Sequence, residues 1–149
     1  MNYVRQTTTW EVQELTTKQL DYRQDDDANS INSLLRHIAS IETFYYITTI
    51  ERRTMTKAEM ERWGPALELG PAGNLILRGY SLDEQLACLN EVRTRTLEGL
   101  QQKNDDWLSE EFPLNTETKA NNYFAWFHVF EDELNHRGQI RILRKRLPF

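Results

Sequence analysis

Ala125-Trp-Phe-His128-Val129-Phe-Glu-Asp132-Glu-Leu-Asn-His136-Arg-Gly-Gln-Ile140-Arg-Ile-Leu143 is the stretch on which the reading of the fold turns. Within it Ala125, Val129, Asp132, His136, Ile140 and Leu143 follow one another at steps of 4, 3, 4, 4 and 3 residues. Those steps hold one side of an α-helix in one direction. The apolar ends of the stripe turn it toward a core. Its middle is nevertheless a carboxylate and an imidazole, one helical turn apart. A carboxylate inside a core is expensive unless it is paired or holds a metal.

Outward from this helix, three more long helices can be drawn. The first covers roughly residues 2–15, with Thr16-Thr17 and Asp21 marking a break and a further turn. The second starts at Asn29 or Ser30 as N-cap and carries Ile31, Leu34, Leu35, Ile38, Ile41, Phe44 and Tyr45 to about residue 53. The third opens with the capping box Ser81-Leu-Asp-Glu84 and runs to about residue 103. The fourth spans about residues 118–146, with Pro148 beyond its end. Glycine and proline cluster between Trp63 and Tyr80, which reads as the main loop, preceded by a short helical piece over 57–63. About 25 residues separate helices two and three, far more than the 2–8 usual in bundles. That length crosses the bundle and makes helices two and three parallel. The expectation is a single all-α domain over 1–149, a four-helix bundle of up-down-down-up order with a long crossover between helices two and three.

With 149 residues the chain can bury a core without disulfides or a structural metal. Acidic residues number 23 against 18 basic, for a net charge of −5, which disfavours nucleic acid and anionic membrane as partners. The basic cluster Arg141, Arg144, Lys145 and Arg146 falls at the end of helix four, where cations complement the helix dipole. One cysteine, Cys88, points to a reducing, cytoplasmic setting. No apolar run reaches the ~18 residues of a membrane span, and the first residues lack the apolar run of a secretory signal.

Helix two repeats the anomaly of helix four. His37 sits between Leu34 and Ile41 on its inward surface. Helices two and four can therefore bring His37 against Asp132 and His136, a metal site of the two-histidine, one-carboxylate type with positions left open for water or substrate. Zinc, nickel, iron(II) and manganese all suit it. Two plainer readings stand beside it: His37 as a hydrogen-bonded core histidine, and Asp132 with His136 as an i, i+4 pair. His128 lies one turn before Asp132, about 40° off the stripe, and reads as a flanking group.

These residues resemble a known family. The stretch from His128 to Ile140 is similar to the C-terminal helix of the DinB/YfiT-like metalloenzymes. Asp27-Ala-Asn-Ser-Ile-Asn-Ser-Leu-Leu-Arg-His37-Ile-Ala-Ser-Ile-Glu42 resembles that family's second helix, and Leu15-Thr-Thr-Lys-Gln-Leu-Asp-Tyr22 the segment before it. The resemblance implies an up-down-down-up bundle and a metal held by one histidine of helix two and a His-x-x-x-His pair of helix four. His37 and His136 match two of those positions; the third falls on Asp132, where the usual pattern has histidine. That departure makes the site one unit more negative, which weakens the metal's Lewis acidity. Characterised relatives imply a thiol-dependent S-transferase, using mycothiol, bacillithiol or a glutathione-type thiol against a small-molecule substrate. A non-catalytic, stress-related member with a weak or empty site and a metal-dependent hydrolase are the alternatives.

Arg36 adjoins His37, and Arg137 adjoins His136; both are candidate clamps for an anionic thiol cofactor. For Arg137 the competing expectation is an exposed i, i+4 pair with Glu133. Glu131 and Glu133 point elsewhere on the wheel than Asp132. Cys88 reads as a small core residue. Gly138, inside helix four, costs about 1 kcal/mol relative to alanine, and close helix packing is its simplest cause. The run Tyr123, Phe124, Trp126, Phe127 and Phe130 covers nearly every side of helix four's first half, which suggests a homodimer.

Overall fold

The computed structural model describes residues 1–148. Seven α-helices follow in order: α1 (Asn2–Val12), α2 (Thr17–Leu20), α3 (Ile31–Tyr45), α4 (Lys57–Leu67), α5 (Pro71–Ile76), α6 (Leu82–Leu100) and α7 (Asn122–Lys145). A π-helical turn, Tyr46–Ile50, prolongs α3. A 3₁₀ turn, Asp105–Ser109, and a small antiparallel hairpin, β1 (Glu111–Pro113) with β2 (Lys119–Asn121), lead into α7. The fold is all-α apart from that hairpin, and α1, α3, α6 and α7 are the four long helices expected. No helix among the described residues is long and apolar enough to cross a membrane.

Local chemistry sets most boundaries. Ser30 caps α3 by accepting from the Ser33 N–H, and Ser81 with Glu84 forms the expected capping box of α6. Several ends differ from expectation. The first helix stops at Val12, and Glu14 turns the chain with φ 67°. Helix four begins at Asn122 because residues 119–121 pair with β1, and Asn121 then caps α7 by accepting from the Phe124 N–H at 2.9 Å. The glycine- and proline-rich stretch is no bare loop: α4 runs on through Gly64 and Pro65, and Pro71 opens α5, where its missing N–H costs nothing.

The order of contacts along the helices gives their directions. Asn32, Arg36 and Glu42 of α3 meet Gln85, Cys88 and Arg93 of α6 in ascending order, so these two run parallel. His37, Tyr45 and Thr49 meet His136, His128 and Trp126 in descending order, so α7 runs against α3. Arg5, Thr7 and Glu11 meet Glu133, Arg137 and Arg141, so α1 lies parallel to α7. Gly99 lets α6 approach the π turn: a Cβ there would stand 2.7 Å from the Tyr46 ring and 3.0 Å from Ile50 Cδ1. The basic cluster serves the fold, since Arg144 donates to the Trp10 and Glu11 carbonyls at the end of α1 and Arg141 pairs with Glu11.

The apolar interior is split in two. One cluster holds Leu34, Leu35, Ile38, Leu89, Ile140 and Leu143; the other holds Tyr45, Trp107, Phe112, Ala125, Trp126 and Val129. Between them lies a polar belt. Its larger part is a quartet with one member from each long helix: Arg5, Glu42, Arg93 and Glu133. Arg93 grips both oxygens of Glu42 at 2.7 and 3.0 Å and reaches Glu133 at 2.8 Å. Arg5 bonds Glu133 at 2.8 Å and Glu42 at 2.8 Å, with a third bond to the Leu89 carbonyl at 2.6 Å. All four side chains are at least nine-tenths buried. Two cations and two anions cancel, and the guanidinium forks suit bidentate pairing in a dry setting.

Burial alone would raise the Glu42 carboxyl, but the Arg93 bonds and the Arg5 charge outweigh it and hold it below its ordinary value. A depressed folded value means stability that is present above the ordinary carboxylate range, about pH 4–5, and is lost as pH falls through the folded value. Removing one partner leaves an uncompensated buried charge, so Glu133→Ala is expected to cost about 3–5 kcal/mol in urea unfolding at neutral pH. A loss below about 1 kcal/mol, the scale of an exposed pair, would contradict the quartet's role.

Candidate metal centre

α4 lies along α3 and uses its last turn to hold α3 side chains. Ser40 Oγ donates to the Trp63 carbonyl at 2.8 Å, and His37 Nδ1 donates to the Ala66 carbonyl at 2.7 Å. The final carbonyls of a helix have no intrahelical partner and carry partial negative charge. The Ala66 carbonyl can only accept, so the His37 proton sits on Nδ1 and the lone pair of Nε2 is left for a ligand. The long crossover therefore fixes the tautomer of the first candidate ligand.

α7 presents the other two. Asp132 Oδ1 lies 3.2 Å from His136 Nε2 and 3.5 Å from His37 Nε2. The two imidazoles meet edge to face, with centroids 4.8 Å apart. The three donor atoms all lie within 4.8 Å of one another. Ligands at about 2.0–2.1 Å from a tetrahedral ion stand roughly 3.3 Å apart, which matches the two edges that Asp132 makes. Asp132 Oδ2 and His136 Nδ1 are buried without a partner. Two imidazoles, a carboxylate and an unpaired buried oxygen fit a divalent transition metal. The side chains of His37, Asp132 and His136 keep 9%, 12% and 10% exposure, so the centre reaches solvent at its edge. Burial pushes the Asp132 carboxyl up, but the adjoining His136 and His37 rings overrule it and hold it well below the usual carboxylate range. Asp132 is thus an anion throughout the neutral range.

The remaining candidates fall elsewhere. Arg36 turns toward α6, donating to Cys88 Sγ at 3.2 Å and lying 4.0 Å over the Tyr80 ring. Arg137 bonds Thr7 of α1. The expected Glu133–Arg137 pair is replaced by the buried quartet, because Glu133 faces inward at the turn where Arg5 and Arg93 converge. Cys88 is a buried thiol; burial raises its pKa more than Arg36 lowers it, so it stays protonated near neutrality. Gly138 is not explained by close packing, since a Cβ there would meet nothing within 4 Å. His128 stacks on Phe124, meets Tyr45 edge-on and lies 3.5 Å from Glu131. Two features escaped the sequence reading. Tyr45 is buried beside the centre, its pKa raised by burial and then by the Asp132 charge. The Ala66 carbonyl is a backbone group, which no side-chain pattern announces.

Comparison with known proteins agrees with this geometry. The family model described as mycothiol-S-transferase matches residues 1–148, and the chain belongs to that family. No curated protein matches it.

Protein purified without chelator is expected to carry close to one equivalent of divalent transition metal by elemental analysis. His37→Ala and His136→Ala should each lose most of it, while Arg36→Ala and Arg137→Ala keep it. Equal metal content in wild type and His136→Ala would dissolve the centre. Loading the wild type should also raise its melting temperature, because an ion that binds only the folded chain stabilises it.

Proposed function

We propose that this member of the mycothiol-S-transferase family joins a low-molecular-weight thiol to a small electrophile, using a divalent metal held by His37, Asp132 and His136. The observation that carries the reading is the convergence of those three side chains at the solvent-touching edge of the core, with one carboxylate oxygen left unpaired. The family match over residues 1–148 supports a thiol as co-substrate. Mycothiol leads among the candidates, with bacillithiol and glutathione as competitors.

When bound, the metal supplies Lewis acidity that lowers a thiol's pKa and favours the nucleophilic thiolate. The chain's own residues do the rest. The Ala66 carbonyl holds His37 in the tautomer that presents Nε2. Asp132 stays ionised and draws positive charge to the site. As the third ligand, it makes the site more negative than three histidines would, which tempers acidification of the thiol. Tyr45, whose pKa is raised by burial and by the Asp132 charge, stays neutral and packs edge-on against His128, one turn from Asp132. The thiol sulfur bonds to the electrophilic carbon as that carbon's bond to its leaving group breaks, the leaving group takes the bonding pair, and the thiol's proton goes to it or to solvent. Arg36 and Arg137 enter only as the nearest cations along the chain; each already has a partner and would have to leave it to clamp an anionic thiol. A cytoplasmic setting, where such thiols stay reduced, and a homodimer belong to the same proposal; nucleic acid does not.

Thermal shift on metal-loaded protein tests the thiol. A true co-substrate at 100 times its Kd adds about 2.7 kcal/mol, and the shift should vanish in His136→Ala. A flat response to mycothiol, bacillithiol and glutathione alike would remove thiol transfer, and turnover of an ester or amide without thiol would put hydrolysis in its place. Asp132→His, which restores the family's usual third ligand, is expected to retain metal and to lower the pH at which thiol transfer reaches half its maximum.

A further inference from the structure

The bundle leaves one large apolar face uncovered. Tyr3 and Trp10 of α1 are 71% and 51% exposed, and Tyr123, Phe127 and Ile142 of α7 are 62%, 51% and 53% exposed. Phe130 and Leu134 lie half-buried between them. Along α7, Tyr123, Phe127, Phe130, Leu134, Gly138 and Ile142 recur at steps of 4, 3, 4, 4 and 4. At about 100° per residue, this stripe lies on the side of α7 away from Asp132 and His136. α1 runs beside it: Arg5 meets Glu133, and Trp10 meets Arg144. The stripe residues themselves carry no charge, and Glu131, on the flank of the stripe between Phe127 and Ile142, lies 3.5 Å from His128.

Gly138 supplies an independent observation. It sits in mid-helix, has no positive φ, and a Cβ there would touch nothing. Nothing within one subunit requires a glycine at this place, although glycine weakens a helix.

We propose that a second copy of this chain packs on this face, with α7 crossing its counterpart antiparallel about a two-fold axis at the level of Asp132 and Glu133. Phe127 and Gly138 lie equally far from that axis on opposite sides, as do Tyr123 and Ile142. Each Phe127 ring then lies over the partner's Gly138, and each Tyr123 against the partner's Ile142. Phe130 and Leu134 surround the axis. The bare glycine is the hollow that receives the ring. The stripe is roughly 28 Å long, and with α1 the face is about two helix diameters wide, on the scale of the ~800 Å² per partner of a stable interface. The Arg141–Glu11 pair bridges α7 and α1 within this face, near its Ile142 end. The inference deepens the homodimer of the proposed function; the two candidate metal centres stay outside the contact, so loss of the dimer and loss of the metal are separate outcomes.

Sedimentation equilibrium on the metal-loaded protein tests it. The wild type is expected at twice the chain mass at micromolar concentration. Gly138→Arg, which the subunit itself has room for, and Phe127→Glu should each weaken association at least tenfold with helical circular dichroism and metal content unchanged. Gln101→Arg, at the exposed end of α6, should remain dimeric. A wild type that is monomeric throughout, a dimer that Gly138→Arg leaves intact, or a monomer that binds neutral lipid vesicles through this face would each overturn the proposal.

Discussion

Four charges buried at the middle of the bundle constrain everything else. Arg5, Glu42, Arg93 and Glu133 come from four different helices and satisfy one another almost without water. A slip of one turn along any helix would strand an ion in an apolar core, where its cost is several kcal/mol. The quartet thus selects one register among the many that an apolar seam would accept. The candidate metal centre depends on that choice. Glu42 lies five residues beyond His37 on α3, and Glu133 lies between Asp132 and His136 on α7. Setting Glu42 and Glu133 on common arginines sets His37 opposite Asp132 and His136. Registry in this bundle is electrostatic, and the candidate ligands use it.

The second constraint comes from the crossover. A long connection between α3 and α6 is needed merely to return the chain to the same end of the bundle. Here it carries α4, whose last carbonyls hold Ser40 and His37. The topological requirement and the chemistry of the site are met by the same segment. His136 has no comparable support: its Nδ1 is buried without a partner, and Asp132 is its hydrogen-bonding neighbour. The two imidazoles therefore differ, one fixed by backbone and one by a carboxylate.

Much of this was legible in the sequence. The stripe from Ala125 to Leu143 named the inward side of α7, and the polar interruption at Asp132 and His136 named the centre, because a charge on a core face needs a reason. The same logic applied to Glu42, flanked on its stripe by Ile38 and Tyr45, and to Glu133, between Val129 and Ile140, would have exposed the quartet. It was missed because i, i+4 pairing with Arg137 offered a ready local partner, while the actual partners lie 128 and 40 residues away. Boundaries failed for local reasons. Three residues of hairpin displaced the start of α7, and Gly-Pro pairs that read as loop sit instead in the last turn of α4 and the first of α5. The role of Ala66 had no side-chain signal at all.

His37, Asp132 and His136 are placed to hold one cation together. X-ray absorption at the edge of the loaded metal reads the coordination shell directly. Two imidazoles per ion, recognised by scattering from the outer ring atoms, with oxygen completing the shell, is the predicted result, falling to one imidazole in His136→Ala. A shell of oxygens alone, or one unchanged by that substitution, would contradict it.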